Sequence, residues 1–551
     1  MKIPVTAALA ILLTQSVGRG VAAPPERDAG GWKASGTQGA VVAGGSAAVE
    51  AGVEVLKAGG NAADAAVATI LALSVTDATS FCFGGEVPIM VYDARRGVVE
   101  VLAGQGTAPR LATLDAFRER GGIPAKGIEA AAVPAALDAC LTALGRFGTR
   151  TFAEAVAPTL RLLDAHEKDW HADLAATLRS LVAAEAASPG DRLRGLRLAA
   201  DAFYRGPIAR EIDAWSRAHG GLLRADDLAT HVTRVEEPVA IEYRGHTVYK
   251  CGPWTQGPAL LEALQLLEGF DLRAIGHNRP DAVHLTAEAI KLALADRDVY
   301  YADPLFEDVP LASLLAPAYA TARRALIDPK QASLVQRPGD PRAGKALLAQ
   351  AESRRGLEGP SHDTTTCLVA DRFGNVVAAT PSGWSGVLAG KTGVWLGSRL
   401  QSFNVWPDHP NHIEPGKRPR VTLTPTLVLK GGKPALAVSV AGGDVQDQAT
   451  LQLVLNQIDF GLAPAESVTA PRFLTGHYLG SFRQAPPKLG QLQINAEFGP
   501  DVLADLASRG HKVVVGRSPL DAAPTVLSFD PKSGRIEAAG DPKAGRHASA
   551  Y

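Results

Sequence analysis

The sequence predicts an α+β protein whose first two thirds are mainly helical and whose last third is rich in strands. Apolar residues recur at helical spacing through much of residues 130–327, for example over 284–300. From Thr364 onward, short apolar runs alternate with turn sequences, which is typical of β-hairpins. With 551 residues and 46% hydrophobic content, the chain can bury a large core.

The N-terminus has the pattern of a secretory signal peptide over residues 1–23. Met1-Lys2 precedes a mostly apolar run at 3–13, and small residues at 20–23 offer a cleavage site near Ala22 or Ala23. The apolar run is too short to span a hydrocarbon core of ~30 Å. We therefore expect a periplasmic or secreted protein. Residues 24–39 are polar and contain glycine, so we expect a disordered lead-in there.

Two helices are predicted directly after this lead-in. Ser46 to Lys57 has amphipathic spacing, with Ser46 as a capping residue and Gly59-Gly60 as its end. Asn61 is a good N-cap for a second, alanine-rich helix that runs to about Leu73.

Two hairpins are predicted in the last third of the chain. The first joins strands at 366–370 and 376–380 through a turn at 371–375. The second joins strands at 426–429 and 435–440 through the turn 430–433. Gly442-Gly443 then precedes a helix at 446–456. Two N–H groups without Cβ hindrance near a helix N-terminus can stabilise a developing oxyanion, although a routine glycine-rich turn has the same sequence.

Charge and composition exclude several classes of function. The net charge of -1 gives no electrostatic case for a nucleic-acid or membrane partner. The four cysteines are scattered, which disfavours a zinc ribbon, and apolar neighbours predict free buried thiols at Cys82 and Cys140. His284 and Glu288 lie one helical turn apart, but the sequence supplies no further ligands, so a solvated or core pair is expected. No metal or cofactor is predicted.

The sequence around Thr364 points to chemistry. Asp363 precedes three threonines, and the apolar strand 367–370 follows them. A threonine freed as a new N-terminus carries its own base, because its α-amine, with a pKa near ~8, can take the hydroxyl proton. Residues 345–360, rich in charge, predict an exposed segment just upstream of the cleavage site. The competing interpretation is an ordinary half-buried strand residue.

Several short segments follow one another in a characteristic order. They are 55–65 (Val-Leu-Lys-Ala-Gly-Gly-Asn-Ala-Ala-Asp-Ala), 84–85 (Gly-Gly), 144–149 (Leu-Gly-Arg-Phe-Gly-Thr), 295–297 (Ala-Asp-Arg), 303–304 (Asp-Pro), 417–419 (Lys-Arg-Pro), 424–426 (Thr-Pro-Thr) and 442–443 (Gly-Gly). Through these segments the chain resembles, from about residue 40 to the end, the γ-glutamyltransferase family of N-terminal-nucleophile hydrolases. The resemblance implies a four-layer αββα sandwich. It also implies one precursor that cuts itself into a large subunit, 40–363, and a small subunit, 364–551, which stay together.

The resemblance also implies roles for individual residues. Thr364 matches the nucleophile, because Asp371 and Gly374-Asn375 follow at the family's spacing. Thr365 takes that role if the register slips by one. Ser382 stands where the family has a second Thr that supports the nucleophile, and Gly442 and Gly443 match the oxyanion hole.

Departures from the family pattern concern the substrate. Gln105 replaces the Arg that holds the α-carboxylate of γ-glutamyl substrates, and Ser402 replaces the Asp that pairs with the α-amine. Trp384 replaces an Asn, and Val421-Thr422 replaces a pair of serines. Each lost hydrogen bond to a charged group removes ~1.5–3 kcal/mol of recognition. The pattern resembles the acylase-type branch, which cuts amides of other acyl groups.

We therefore expect a small-molecule amide as the substrate of a self-processing amidohydrolase or acyltransferase. Arg399 and Arg420 are candidates to bind a lone carboxylate, such as that of a glutaryl or succinyl group. Residues 417–420 (Lys-Arg-Pro-Arg) would usually be a solvated turn, and the resemblance makes them a candidate wall of the pocket. Two alternatives stay open: a γ-glutamyltransferase or glutathione hydrolase, and a relative that binds a small molecule without turnover.

Overall fold

Two antiparallel sheets form the centre of the protein in a computed structural model that describes residues 31–165, 167–349, 356, 364–383 and 385–551. The predicted signal peptide, residues 24–30 of the predicted lead-in, Trp384, Asp363 and most of residues 350–363 lie outside the described residues.

The elements before Thr364 alternate short strands with long helical runs. They are β1 (Lys33–Gly36), β2 (Gly39–Ala43), α1 (Ser46–Lys57), α2 (Ala62–Thr76), β3 (Ile89–Asp93), β4 (Val98–Ala103), α3 (Leu114–Glu119), α4 (Ala136–Phe147), α5 (Phe152–Asp164), α6 (Trp170–Ala186), α7 (Arg192–Tyr204), α8 (Pro207–Ala218), α9 (Ala225–Ala229), β5 (Arg234–Glu236), β6 (Val239–Tyr243), β7 (His246–Lys250), α10 (Gly257–Leu267), α11 (Leu272–Ile275), α12 (Pro280–Tyr300), α13 (Leu311–Leu314) and α14 (Pro317–Arg324).

The elements after Thr364 are mostly strands. They are β8 (Cys367–Asp371), β9 (Val376–Ala379), β10 (Ser385–Leu388), β11 (Trp395–Gly397), β12 (Thr426–Lys430), β13 (Lys433–Ala441), α15 (Gln446–Ile458), α16 (Pro464–Thr469), β14 (Phe473–Thr475), β15 (Gln491–Asn495), α17 (Pro500–Ser508), β16 (Lys512–Gly516), β17 (Ala523–Phe529), β18 (Ile536–Gly540) and β19 (His547–Ala550). Short 3₁₀ turns lie at Arg399–Ser402 and Gly443–Val445.

Both central sheets contain strands from each side of Thr364. Among the described residues, sheet A has the order β1-β18-β17-β13-β12-β7-β6, and sheet B has the order β19-β2-β8-β9-β3-β4-β5. In sheet B, β2 pairs antiparallel with both β8 and β19. In sheet A, β7 pairs with β12, and β1 pairs with β18. The predicted large and small subunits therefore build each sheet jointly.

Apolar side chains fill the space between the sheets and cover their outer faces. Leu368 and Val376 of sheet B and Leu427 and Ala437 of sheet A share one buried cluster. A second cluster joins sheet B to α1, α2, α4 and α5, and a third joins sheet A to α10 and α15. Full burial of one such Leu or Val contributes roughly 1.5–3 kcal/mol. The predicted αββα sandwich is confirmed.

Local signals explain the elements that were predicted well. Asn61 caps α2, because its Oδ1 accepts from the N–H groups of Ala63 and Asp64. In the β12–β13 hairpin, Gly431 and Gly432 form the turn with φ values of 57° and 76°, as a two-residue turn of this hand requires. In the β8–β9 hairpin, the Asp371 carboxylate accepts from the turn and from the N–H of Ala62 at the start of α2.

Three expectations differ from the structure. Residues 33–39 of the predicted disordered lead-in are ordered, because β1 pairs with β18 and β2 begins at Gly39. The region 130–327 is mainly helical, as predicted, but β5, β6 and β7 interrupt it: β5 pairs with β4, β7 pairs with β12, and β6 pairs with β7. Helix α1 begins at Ser46, but Gly45 is its N-cap residue and no side chain caps it.

Candidate active site

Thr364 lies at the open end of the β8–β9 hairpin, beside Ser382. The two residues form an isolated antiparallel bridge, and Ser382 forms another with Glu86. The N–H of Thr365 donates to the carbonyl of Pro381 at 2.9 Å, which continues the same pairing. Thr364 is 4% exposed. Hairpin register therefore brings the two predicted hydroxyl residues together.

The side-chain amide of Gln446 joins Thr364 to the glycine pair. Its orientation follows from its neighbours: the nitrogen donates to the carbonyls of Thr422 at 3.1 Å and Val440 at 2.9 Å. Its oxygen then accepts from the N–H of Gly443 at 3.2 Å and from the hydroxyl of Thr364 at 3.3 Å. The hydroxyl and this N–H thus lie within hydrogen-bonding distance of one and the same oxygen atom.

Gly442 and Gly443 form a tight turn between β13 and the 3₁₀ turn that leads into α15. Their φ values are 144° and 62°. A Cβ at Gly442 would lie 2.3 Å from the carbonyl oxygen of Asp521, so a side chain cannot be accommodated without a shift. The N–H groups of this turn lie near the positive end of the α15 dipole, where a developing negative charge is favoured.

A cavity of about 230 Å³ opens beside Thr364. Its walls are mainly small and apolar, with few polar groups. The described residues that line it are Ser80, Thr364, Ala441, Gly442, Pro519, Asp521, Ala522, Ala523, Ala544 and Arg546. A small substrate can therefore approach the hydroxyl next to Gly442.

Two buried ion pairs fix the glycine turn and the start of α15. Arg297 donates to Asp444 at 2.7 Å, and the Lys250 ammonium lies 2.8 Å from Asp447. Burial raises the pKa of Asp447 and lowers that of Lys250, while the charge of each partner opposes the shift. Because both acids flank the turn in sequence, these pairs hold Gly443 and Gln446 in place.

Ser382 belongs to a third buried group. The Nη2 of Arg399 donates to its Oγ at 2.6 Å, and the Nε of Arg399 donates to Glu86 at 2.6 Å. All three side chains are buried. The positive charge of Arg399 is therefore matched by Glu86.

The family assignment rests on the sequence as a whole. A family model described as γ-glutamyltranspeptidase matches residues 48–167 and 162–551. The chain belongs to the γ-glutamyltranspeptidase family. It is 34% identical to the acylase ACY 1 proenzyme of Pseudomonas sp. (strain SE83), over 90% of this chain and 91% of that protein. It is 32% identical to the glutathione hydrolase proenzyme of Bacillus subtilis (strain 168), over 90% and 88%. The crystal structure of cephalosporin acylase from Bacillus halodurans matches with a TM-score of 0.78 and 28% identity, over 97% of this chain and 99% of that one.

Gln105 and Ser402, which the resemblance matches to the charged anchors of γ-glutamyl enzymes, are both buried. Gln105 donates from Nε2 to the carbonyl of Gly106 at 3.0 Å, and its Oε1 has no partner among the described residues. The carbonyl of Ser402 accepts from Asn411 at 2.8 Å, while its hydroxyl likewise has no described partner. Neither residue is among the described residues that line the Thr364 cavity. The position that Trp384 takes in the family pattern lies outside the described residues.

The expectation that Arg399 and Arg420 bind a lone substrate carboxylate does not agree with the structure. Arg399 is paired with Glu86. Arg420 donates to the carbonyl of Arg297 and lies 3.7 Å from Asp298. Burial and, second in size, the positive charge of Arg297 lower the pKa of Arg420 to about 10. Neither arginine is among the described lining residues of the Thr364 cavity.

The segment 417–420 is not a solvated turn. Lys417 lies 2.7 Å from Glu307, and Arg418 donates to Asp303 at 2.7 Å. Both cations are buried. The Asp303-Pro304 and Lys417-Arg418-Pro419 segments are thus joined by the ion pair between Asp303 and Arg418. Thr422, two residues after this segment, is buried and holds Gln446 through its carbonyl.

His284 and Glu288 form a buried pair rather than a solvated one, and His511 joins them. The Nδ1 of His284 and the Nε2 of His511 are 2.8 Å apart. Glu288 contacts Lys291 at 2.6 Å and Arg337 at 2.9 Å. Two cations already match the charge of this carboxylate, which disfavours a divalent metal at the cluster. All four cysteines are buried and none forms a disulfide among the described residues, as expected for Cys82 and Cys140.

Proposed function

We propose that this family member cuts its own chain before Thr364 and then hydrolyses acyl amides through an ester on Thr364. In the first step the Thr364 hydroxyl attacks the carbonyl of Asp363, the peptide bond becomes an ester and the α-amine of Thr364 is freed, and water then hydrolyses the ester to leave Asp363 as a C-terminal carboxylate. The free amine takes the hydroxyl proton when a substrate amide is attacked and passes it to the departing amine of the substrate. Water then hydrolyses the acyl ester. This second reaction needs no other base.

One observation carries this proposal. The Thr364 hydroxyl and the Gly443 N–H meet at a single oxygen of Gln446, beside a cavity that Thr364 and Gly442 both line. An oxyanion formed on attack by Thr364 would therefore lie close to the glycine turn. Because the Gly443 N–H is directed to Gln446 at 3.2 Å, a substrate oxygen must share or replace that acceptor.

Uncharged residues at both positions expected to bind the glutamyl head group support a substrate other than glutathione. Gln105 and Ser402 carry no charge, so an α-carboxylate and an α-amine lose their ion-paired contacts. The similarity to an acylase proenzyme and to a cephalosporin acylase agrees with a different acyl group. The similarity to a glutathione hydrolase proenzyme keeps γ-glutamyl hydrolysis, or transfer to an acceptor, as the second candidate. A relative that binds without turnover is the third.

Maturation is proposed to take place after export. We propose that residues 1–23 direct the chain to the periplasm or the medium, and that the two subunits remain together after the cut. Among the described helices, none combines the length and apolarity that crossing a bilayer requires.

Gel electrophoresis and N-terminal sequencing test the processing step. Purified protein should give two bands, and the smaller one should begin at Thr364. Thr364→Ala should leave one chain. Thr365→Ala is the matched control and should still be cut, because Thr365 contacts Arg546 rather than Gln446. A small fragment that begins at any other residue would refute the assignment.

A pair of anilide substrates tests the acyl group. Glutaryl 4-nitroanilide and γ-glutamyl 4-nitroanilide differ only in the α-amino group. We expect the glutaryl compound to have the higher kcat/KM. A tenfold preference for the γ-glutamyl compound, equivalent to ~1.4 kcal/mol, would refute the acylase proposal in favour of the second candidate.

A further inference from the structure

Arg546 is a cation beside the nucleophile that no sequence motif indicated. It directly precedes β19 and lines the same cavity as Thr364. The residue is 6% exposed. A side chain at Gly44 would collide with Thr365, Arg546 and Asp77, so this glycine makes room for the three polar groups to meet.

The hydrogen bonds of Arg546 leave one edge of its guanidinium unfilled. Nη1 donates to Thr365 Oγ1 at 3.2 Å and to Asp77 Oδ2 at 3.3 Å. Nε is buried and has no acceptor among the described residues. A buried donor without an acceptor is costly. The edge formed by Nε and Nη2 is the one that can bind both oxygens of a carboxylate.

The cavity surroundings favour an anionic group at this edge. Among its described lining residues, Arg546 is the one that carries a positive charge, and most of the others are alanines, a proline and a glycine. Apolar walls lower the local dielectric and strengthen an ion pair. One water molecule needs a cavity volume of roughly 10–15 Å³. The cavity beside Thr364 has a volume of about 230 Å³, which leaves room for a short acyl chain. Asp521 also lines the cavity. A cation and an anion in the same cavity would suit a zwitterionic substrate group instead.

We propose that Arg546 binds a carboxylate of the substrate and so makes the enzyme selective for amides that carry a second, anionic end. This inference rests on the proposed function of Thr364. It moves the carboxylate-binding role from Arg399 and Arg420, which are not among the described residues that line the cavity, to Arg546, which lines the cavity and, within the described part of the chain, is paired with Asp77 through Nη1 alone. The carboxylate can belong to the acyl group or to the amine that leaves.

Four anilides separate these sources. Glutaryl 4-nitroanilide carries a carboxylate on the acyl group, and valeryl 3-carboxy-4-nitroanilide carries one on the leaving amine. Glutaryl 3-carboxy-4-nitroanilide carries both, and valeryl 4-nitroanilide carries neither. The variants are Arg546→Gln, Arg546→Lys and, as a control, Arg535→Gln, which removes an exposed arginine near Glu537. Processing of each variant is verified on a gel before kinetics.

Arg546 contacts either the acyl group or the leaving amine. We expect Arg546→Gln to lower kcat/KM by roughly ten- to a hundredfold for the substrates that carry their carboxylate on the part it contacts. Valeryl 4-nitroanilide should stay within about twofold. Arg546→Lys should retain part of the preference, and Arg535→Gln all of it. An equal loss on all four substrates, or no loss on any, would overturn the proposal. So would a larger loss on γ-glutamyl than on glutaryl 4-nitroanilide, which would assign Arg546 and Asp521 to a zwitterion.

A binding measurement separates failure of this inference from failure of the proposed function. Calorimetric titration of the processed protein with glutarate should show binding that Arg546→Gln weakens by at least tenfold. If the wild type binds glutarate through Arg546 but cleaves none of the anilides, the hydrolytic function is refuted and Arg546 binding stands. If glutarate binding does not depend on Arg546 while glutaryl anilides are cleaved, only the inference is overturned.

Discussion

The Nη2 of Arg399 lies 2.6 Å from the Oγ of Ser382, and the same guanidinium is paired with Glu86. The hydroxyl beside Thr364 therefore has its orientation set by a buried ion pair rather than by solvent. Because Arg399 occupies one acceptor position of Ser382, the serine hydroxyl is held in a defined place next to the nucleophile.

Ser382→Ala should slow both self-cleavage and anilide hydrolysis by ~10²-fold or more, since a positioned group of this kind typically contributes ~10²–10⁴ in rate. Ser382→Thr keeps the hydroxyl and should restore most of the activity. The time course of band conversion and kcat report the two steps. Wild-type rates for Ser382→Ala in both assays would show that the hydroxyl has no role.

Gly442→Ala should reduce hydrolysis by ~10²-fold or more, because the new Cβ meets the Asp521 carbonyl and displaces the glycine turn. Gly432→Ala is the matched control. Gly432 also has a positive φ, 76°, but a Cβ there meets nothing within 4 Å. Steady-state kinetics on processed protein should separate the variants, and an equal loss in both would point to backbone strain in general rather than to the oxyanion site.

Gln446→Leu should slow self-cleavage by roughly tenfold or more, because it removes the amide that holds Thr364 next to Gly443. Gln452→Leu removes another buried glutamine of α15, which contacts the backbone of Phe473 instead. That control should lower the melting temperature but leave the rate of self-cleavage close to wild type. Equal rates of cleavage in the two variants would contradict a positioning role for Gln446.

Lys250→Met should destabilise the protein by ~3–5 kcal/mol, because it leaves Asp447 buried without its counter-charge. The double variant Lys250→Met/Asp447→Leu should recover a large part of this loss. Denaturant midpoints of the wild type, both single variants and the double variant form the test. A double variant as unstable as the two losses added together would mean that the pair is not coupled.

Stability should fall as the pH falls below about 6.5, in part because of His511. Burial, together with Lys291, His284, Arg509 and His477, lowers the pKa of His511 to about 3. Between pH ~6.5 and ~3 the unfolded chain binds a proton that the folded protein does not bind, so unfolding is favoured by up to ~1.4 kcal/mol per pH unit. His511→Gln should show a smaller drop in melting temperature from pH 7 to pH 5 than the wild type.

Elements with local signals could be predicted from the sequence. The capping side chain of Asn61 and the Gly431-Gly432 turn act within a few residues, and α2 and the β12–β13 hairpin followed from them. Strand β1 was missed because its partner lies far along the chain: Lys33 pairs with Ala539. Strand β7 has one local partner, β6, in a short hairpin, but its pairing with β12, such as Val248 with Val428, is also far from any local signal. A three- to five-residue strand has too little periodicity to be recognised without its partner.

At the candidate site, too, contacts between residues far apart in the sequence were the ones that could not be predicted. The resemblance placed Thr364, Ser382 and the glycine pair together, and the structure brings them to one place. Arg399 was expected to be available to substrate because Glu86, 313 residues away, could not be recognised as its partner. Arg546 was missed for the same reason, since it meets Thr365 across 181 residues. The partner of a buried charged residue cannot be predicted from the residues next to it in the sequence when that partner lies far along the chain.

Both sheets combine strands from the two sides of Thr364, with β2 between β8 and β19, and β7 beside β12. While the chain is whole, folding is a reaction of one molecule and does not depend on concentration. Once the bond before Thr364 is cut, an unfolded molecule can return only if two separate chains meet, which makes refolding second order and costs the entropy of association. The cut would thus make unfolding irreversible at low protein concentration. The precursor can fold again after heat or denaturant, whereas dilute mature protein should not recover.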